Sequence, residues 1–257
     1  MENIISVNNL KKEFIISKKQ RKIQKSKTNI ALDNLTFKVN KGEIYALLGT
    51  NGAGKTTTLR ILSTLLKPDD GECYIEGINV VENPNIVRNK IGFLTSELKL
   101  DGFFTPNYLY DFFSDLHGVD CEICMSRKKK IFSTLGINEF AEVKVSNLST
   151  GMKQRVAIAI SLVHDPDIII YDEPTNGLDI ISSKMVIDYL NELKQMGKTI
   201  LISTHIFDVV EKIADRVGII INGKLKYENS ILKIQEENSL ENVFFDVYDR
   251  EEGKRKK

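Results

Sequence analysis

The residues Gly49-Thr50-Asn51-Gly52-Ala53-Gly54-Lys55-Thr56 have the types and the spacing to hold phosphate. Glycines free the backbone to aim successive N–H groups at one point. Lys55 adds a full positive charge, Thr56 a hydroxyl for Mg²⁺, and the helix that opens at Thr56 and Thr57 adds the partial charge of its N-terminus. The spacing is G-x-x-x-x-G-K-[ST], set in a strand–loop–helix context. An apolar run from Ile44 to Leu48 reads as a buried strand, and Thr57-Thr58-Leu59-Arg60-Ile61-Leu62 reads as a helix. Such a loop binds a nucleoside triphosphate.

Two carboxylates, Asp172 and Glu173, follow the apolar run Ile168–Tyr171. At a strand end beside a phosphate loop, the first would hold Mg²⁺ through water and the second would act on the attacking water. A second phosphate-type site lies in Leu148-Ser149-Thr150-Gly151-Met152-Lys153-Gln154-Arg155. Ser149 reads as the N-cap of a helix running to about His164, and Gly151 lets that helix end approach a ligand closely. Cys121 and Cys124 have C-x-x-C spacing, but no second pair or nearby histidines complete a zinc site, so the spacing reads as incidental.

The elements that must position these groups alternate. Strands are expected at Ile4–Val7, Asn34–Val39, Cys73–Ile75, Ile91–Leu94, Ile168–Tyr171, Thr199–Ser203 and Val217–Ile221, with helices near Ser182–Met196 and Phe207–Ala214. Continuous apolar strands alternating with helices mean a largely parallel, doubly covered sheet in an α/β fold. Asn107–His117 and Cys121–Leu135 are helix-patterned and suggest an inserted helical subdomain. Its core is expected to contain Phe103, Phe104, Tyr108, Tyr110, Phe112 and Phe113, with a partner-binding surface as the lesser reading. The charged end, Arg250–Lys257, is expected to fray.

Composition excludes several classes. The 257 residues are 42% hydrophobic and 28% charged with a net charge of +1, so no overall basic excess points to nucleic acid. No run approaches the roughly 20 apolar residues that cross a bilayer, and Met1–Ile5 does not begin a signal peptide. Three cysteines make no disulfide framework. The cations Lys11, Lys12, Lys18, Lys19, Arg21, Lys22, Lys25 and Lys27 read as a solvated loop or hairpin insertion rather than a lipid-binding patch.

Taken together, the separated motifs resemble the ATP-binding subunits of ABC transporters over essentially the whole chain. In that family's terms Gly49–Thr56 is the Walker A motif, Ile168–Asp172 Walker B, Leu148–Met152 the signature, Asn176–Asp179 the D-loop and His205 the switch histidine. The resemblance implies a P-loop NTPase (RecA-like) core with a mostly parallel sheet, N-terminal antiparallel strands and an inserted α-helical subdomain. It divides a single ABC ATPase domain, 1–257, into a nucleotide-binding core (1–95 and 165–228), a helical signature subdomain (96–164) and a C-terminal helix with a charged tail (229–257). It implies ATP and Mg²⁺, with Gly49, Thr50, Asn51, Gly52, Ala53, Gly54, Lys55, Thr56 and Thr57 around the phosphates and Phe14 stacking on adenine. Ser149, Gly151 and Asp179 complete the ATP contacts. Lys55, Glu173 (general base) and His205 (γ-phosphate sensor) are catalytic, and Thr56, Asp172 and Ser96 serve the metal.

This chain departs from the pattern. Thr150 and Met152 replace the commoner glycine and glutamine of the signature, and Ser96 followed by Glu97 stands where a Q-loop glutamine is expected. Segment 91–119 looks most like the ATPase subunits of sodium-extruding ABC pumps. One phosphate loop and one signature helix on different subdomains imply two chains, placed head to tail, that share each ATP. The expected partners are a second copy and integral membrane permease subunits, with no nucleic acid. The expected location is cytoplasmic, peripheral on the inner face of the cell membrane. Other readings are a soluble ABC-type ATPase with a non-transport partner and a scaffold that binds ATP without turnover. A GTPase is disfavoured because no Asn-Lys-x-Asp motif occurs.

Overall fold

The computed structural model describes residues 2–15, 27–95 and 99–255. β1 (Asn3–Ile15), β2 (Thr28–Asn40), β4 (Asp70–Ile75) and β5 (Ile78–Asn79) form an antiparallel sheet of order β2-β1-β4-β5. A six-stranded sheet contains β3 (Ile44–Leu48), β6 (Ile91–Leu94), β7 (Ile168–Asp172), β8 (Thr199–Thr204), β9 (Arg216–Ile221) and β10 (Lys224–Ser230). Its order is β10-β9-β3-β8-β7-β6, parallel throughout except for the antiparallel pair β9–β10. The turn joining that pair, Asn222-Gly223, has both residues at positive φ, as a tight hairpin of this twist requires.

Every residue of β3, β7 and β8 is buried, which explains the apolar runs Ile44–Leu48, Ile168–Tyr171 and Ile200–Ile202. Their side chains still alternate. Tyr45, Leu47, Ile168, Ile170 and Leu201 face one apolar core, which they share with the antiparallel sheet and with α1 (Lys55–Leu62) and α2 (Pro84–Lys90). Ile44, Ala46, Leu48, Ile169, Tyr171, Ile200 and Ile202 face the other. That second core holds α6 (Ile180–Gln195), α7 (Phe207–Ile213), α8 (Ile231–Glu237) and α9 (Leu240–Arg255). Between β6 and β7 the chain inserts α3 (Pro106–Leu116), α4 (Cys121–Thr134) and α5 (Thr150–Ser161). This is the expected P-loop core, with N-terminal antiparallel strands and an inserted helical subdomain.

Several expectations change. β1 and β2 are thirteen residues each, longer than the runs seen in the sequence. Bulges between Val7 and Leu10 and between Leu10 and Lys12, with Asn9 and Asn34 at positive φ, break the alternation that would have marked their full length. Helix α5 stops at Ser161, short of His164. The charged end continues as helix to Arg255, with Leu240 and Phe244 buried near the start of α9 and Glu251 paired with Lys226.

The aromatic cluster is also not a core. Tyr110 is buried edge-on against Phe132 and Phe113 packs partly inward, but Phe103, Phe104, Tyr108 and Phe112 are exposed. Tyr108 and Phe112, four residues apart, share one face of α3, opposite the face that Leu109 and Tyr110 bury, and Phe104, just before the N-cap Thr105, stacks on Tyr108. The ring centroids are 4.5 Å apart for Phe104 and Tyr108 and 6.2 Å apart for Tyr108 and Phe112. Ser96 and Glu97, and the cations from Lys18 to Lys25, lie outside the described residues.

Candidate active site

The loop from Gly49 to Gly54 leaves β3 and enters α1. Gly54 takes φ +109° as the N-cap of α1, and a Cβ there would lie 2.6 Å from the Ala31 carbonyl oxygen. Glycine is therefore required both for the turn and for the close approach of β2. No side chain caps α1. The amides of Lys55, Thr56 and Thr57, which have no acceptor within a helix's first turn, are left directed at the loop's mouth. Lys55 is 5% exposed, and its ammonium donates to the carbonyls of Gly49 (2.7 Å) and Thr50 (3.3 Å). The cradle fits a triphosphate.

Register brings the carboxylates to this loop. β7 lies between β6 and β8, so Asp172 stands beside Ser203, which donates to it. Thr56 Oγ1 donates to Asp172 Oδ1 at 3.0 Å across the mouth of the loop. A hydroxyl and a carboxylate this close suit Mg²⁺, which takes hard oxygen donors and keeps several waters and phosphate oxygens. Among the described residues, no group of three or more His, Cys, Asp or Glu could form an all-protein cage. Cys121 is exposed and Cys124 buried.

Glu173 turns away from β7 with φ +52°, and its amide donates to the Ser203 carbonyl at 3.1 Å. Its carboxylate lies 3.4 Å from Lys55 Nζ, and His205 Nδ1 lies 3.0 Å from each of its oxygens. Glu173 thus sits between Lys55 and His205, within reach of both. Both Lys55 and Glu173 are largely buried there, where an unpaired charge would be strongly unfavourable.

A cavity of about 330 Å³ covers the loop. Phe14, Asn29 and Ala31 form one side, and Lys55, Glu173 and Asn176 form the other. Phe14 is 39% exposed, and Lys12 Nζ lies 5.8 Å from its ring centroid. Asn29 reaches the cavity because it pairs with Phe14 across β1–β2. No sequence motif marked Asn29 or Ala31, while Asn176 opens the D-loop segment Asn176–Asp179. Ser203 was findable as the hydroxyl that directly follows the apolar run Ile200–Ile202.

Ser149 and Gly151 do not line this cavity. Ser149 caps α5, accepting from Met152 N at 3.2 Å. Gly151 is buried against α6 of its own chain, where a Cβ would lie 2.5 Å from Ser182 Oγ. Its small size is used there for helix packing. Asp179 caps α6, accepting from Ser182 N (2.9 Å) and Ser182 Oγ (2.8 Å), and these hydrogen bonds hold its carboxyl below the usual carboxylate range. Among the described residues, no helix is long and apolar enough to cross a membrane.

Comparison with known proteins agrees with this geometry. Residues 32–176 match the family model described as ABC transporter. The chain is 36% identical to the ABC transporter ATP-binding protein NatA of Bacillus subtilis, over 85% of this chain and 89% of that protein. It is 33% identical to the bacitracin transport ATP-binding protein BcrA of Enterococcus faecalis, over 97% of this chain and 76% of that one. The dimeric structure of a bacterial ABC transporter cassette, MJ0796, superimposes with a TM-score of 0.78 at 27% identity, covering 88% of this chain and 98% of the other.

Proposed function

The chain belongs to the ATP-binding subunits of ABC transporters, Mg²⁺-dependent ATPases coupled to transport, and from that membership we propose that it is one of two identical motors of an exporter. One observation carries the paired reading: the cavity over Lys55 is lined by Glu173 and Asn176 but not by Ser149 or Gly151. A second copy placed head to tail supplies the missing side. The dimeric form of the MJ0796 cassette supports this arrangement.

Within each pocket the chain's own groups divide the work. The amides of Lys55–Thr57 and the Lys55 ammonium bind the β- and γ-phosphates, and Phe14 stacks on the base. Thr56 and Asp172 hold Mg²⁺, which when bound supplies positive charge to the phosphate oxygens. Glu173 takes a proton from the water that attacks the γ-phosphorus, and His205 holds the Glu173 carboxylate in place and senses that phosphate. Ser149, Gly151 and Asp179 act on the partner's nucleotide. Loss of the γ-phosphate removes the charge that joins the two copies, and the pair opens.

The exposed ring stack of Phe104, Tyr108 and Phe112 supports docking of the helical subdomain on a membrane permease, on the cytoplasmic face of the cell membrane. Sodium as cargo rests on the likeness of segment 91–119 to sodium-extruding pumps; one relative named above transports bacitracin, so cargo differs within the family. The test is efflux of radioactive sodium from loaded cells. Deletion of the gene, or Glu173→Gln, should slow it. Unchanged efflux in both strains would remove sodium as the cargo.

A further inference from the structure

Gln154 lies in the second turn of α5, and its Nε2 donates to the Pro174 carbonyl at 3.0 Å. Pro174 directly follows Glu173. The turn from Glu173 to Asp179 is held at its start, where Glu173 N meets Ser203 O, and at its end, where Asp179 caps α6. Inside it, Asn176 N donates to Glu173 O (3.1 Å) and Leu178 N to Thr175 O (3.4 Å). Gln154 adds a hydrogen bond from outside the turn, next to the carboxylate. Proline has no N–H of its own to tie that point of the turn back to the backbone. Three residues earlier, Gly151 packs against Ser182, which is itself held by Asp179. The start of α5 and the turn that carries Glu173 are therefore braced at two places.

We propose that Gln154 is a positioning residue: through Pro174 it sets the direction of the Glu173 carboxylate and links that direction to the placement of Ser149 and Gly151. This rests on the paired reading, in which Ser149 and Gly151 face the partner's nucleotide. A nucleotide seated there shifts α5, α5 moves Pro174, and each site responds to the occupancy of the other.

The test compares Gln154→Leu, which removes the donor, with Gln154→Lys, which keeps one, in steady-state ATP hydrolysis. Loss of one hydrogen bond at this point should lower kcat on the order of tenfold in Gln154→Leu while KM for ATP stays unchanged. The Hill coefficient for ATP should fall from about two to about one. Gln154→Lys should keep most of the wild-type kcat and cooperativity. A leucine variant with wild-type kcat and Hill coefficient would overturn the proposal. So would leucine and lysine variants impaired alike, since packing alone would then explain the loss. The paired reading is checked separately by whether ATP makes Glu173→Gln dimerise. If it does not, a kcat loss rescued by lysine still supports positioning within one subunit, and an unchanged kcat refutes it.

Discussion

Replacing Glu173 by Gln is the most informative single change. The carboxylate lies 3.4 Å from Lys55 and 3.0 Å from His205, and its side chain is only 9% exposed. Glutamine keeps the size and one acceptor oxygen but cannot take a proton from water. A positioned general base contributes about 10²–10⁴ in rate, or roughly 3–5 kcal/mol of transition-state stabilisation, and turnover should fall by that factor. ATP binding should not weaken, because the change removes a negative charge that competes with the phosphates for Lys55. Turnover by phosphate release and affinity by a fluorescent ATP analogue separate the two effects, with a thermal melt to check folding. A Glu173→Gln chain within about threefold of wild-type turnover would refute the assignment of the base.

Thr56→Val removes the hydroxyl that the proposed site directs, beside Asp172, at Mg²⁺. A hydrogen bond to a charged group contributes about 1.5–3 kcal/mol, so the Mg²⁺ concentration needed for half-maximal turnover should rise roughly ten- to hundredfold, as a Mg²⁺ titration of hydrolysis would read. Gly151→Ala places a methyl group 2.5 Å from Ser182 Oγ, and the denaturant midpoint should report a loss of about 1–3 kcal/mol. His164 gives a pH dependence. Its Nε2–H donates to the Ile91 carbonyl at 3.1 Å, its ring stacks on His117 at 4.2 Å, and Arg127 and Asp165 face it. Burial first, then His117, pushes its pKa down to about 4. The unfolded chain then binds the extra proton first. This contribution is present above pH about 6.5 and is lost as pH falls toward 4, worth roughly 1–2 kcal/mol for a half-buried ring. His164→Gln should flatten the fall in melting temperature over that range, and an unchanged slope would contradict it.

The parts legible in the sequence were those written locally. The apolar run Ile44–Leu48, the glycine loop and α1 are consecutive, and so are Ile168–Asp172 with Glu173. Ser149 caps its helix as its type and place suggest. What was not legible depends on long-range pairing. Asn29 and Ala31 reach the nucleotide cavity only because β2 pairs with β1 in one register, through bulges that erase the alternation. The exposure of Tyr108 and Phe112 could not be read from spacing, since a four-residue period marks a common face without saying whether anything covers it. Gly151 shows the same limit: a small residue at a helix start suggests a ligand, and here the close neighbour is Ser182.

The measurement that bears most directly on the paired pocket mixes two inactive chains. Lys55→Ala destroys the phosphate loop, and Ser149→Arg blocks the signature end of α5. In a mixed pair, one pocket joins the intact Lys55 of one chain to the intact Ser149 of the other. Each chain alone should be inactive, and the equimolar mixture should recover turnover, up to about a quarter of wild type if pairing is random. Wild-type turnover by the Ser149→Arg chain alone, or a mixture no more active than its parents, would contradict a pocket built from two copies.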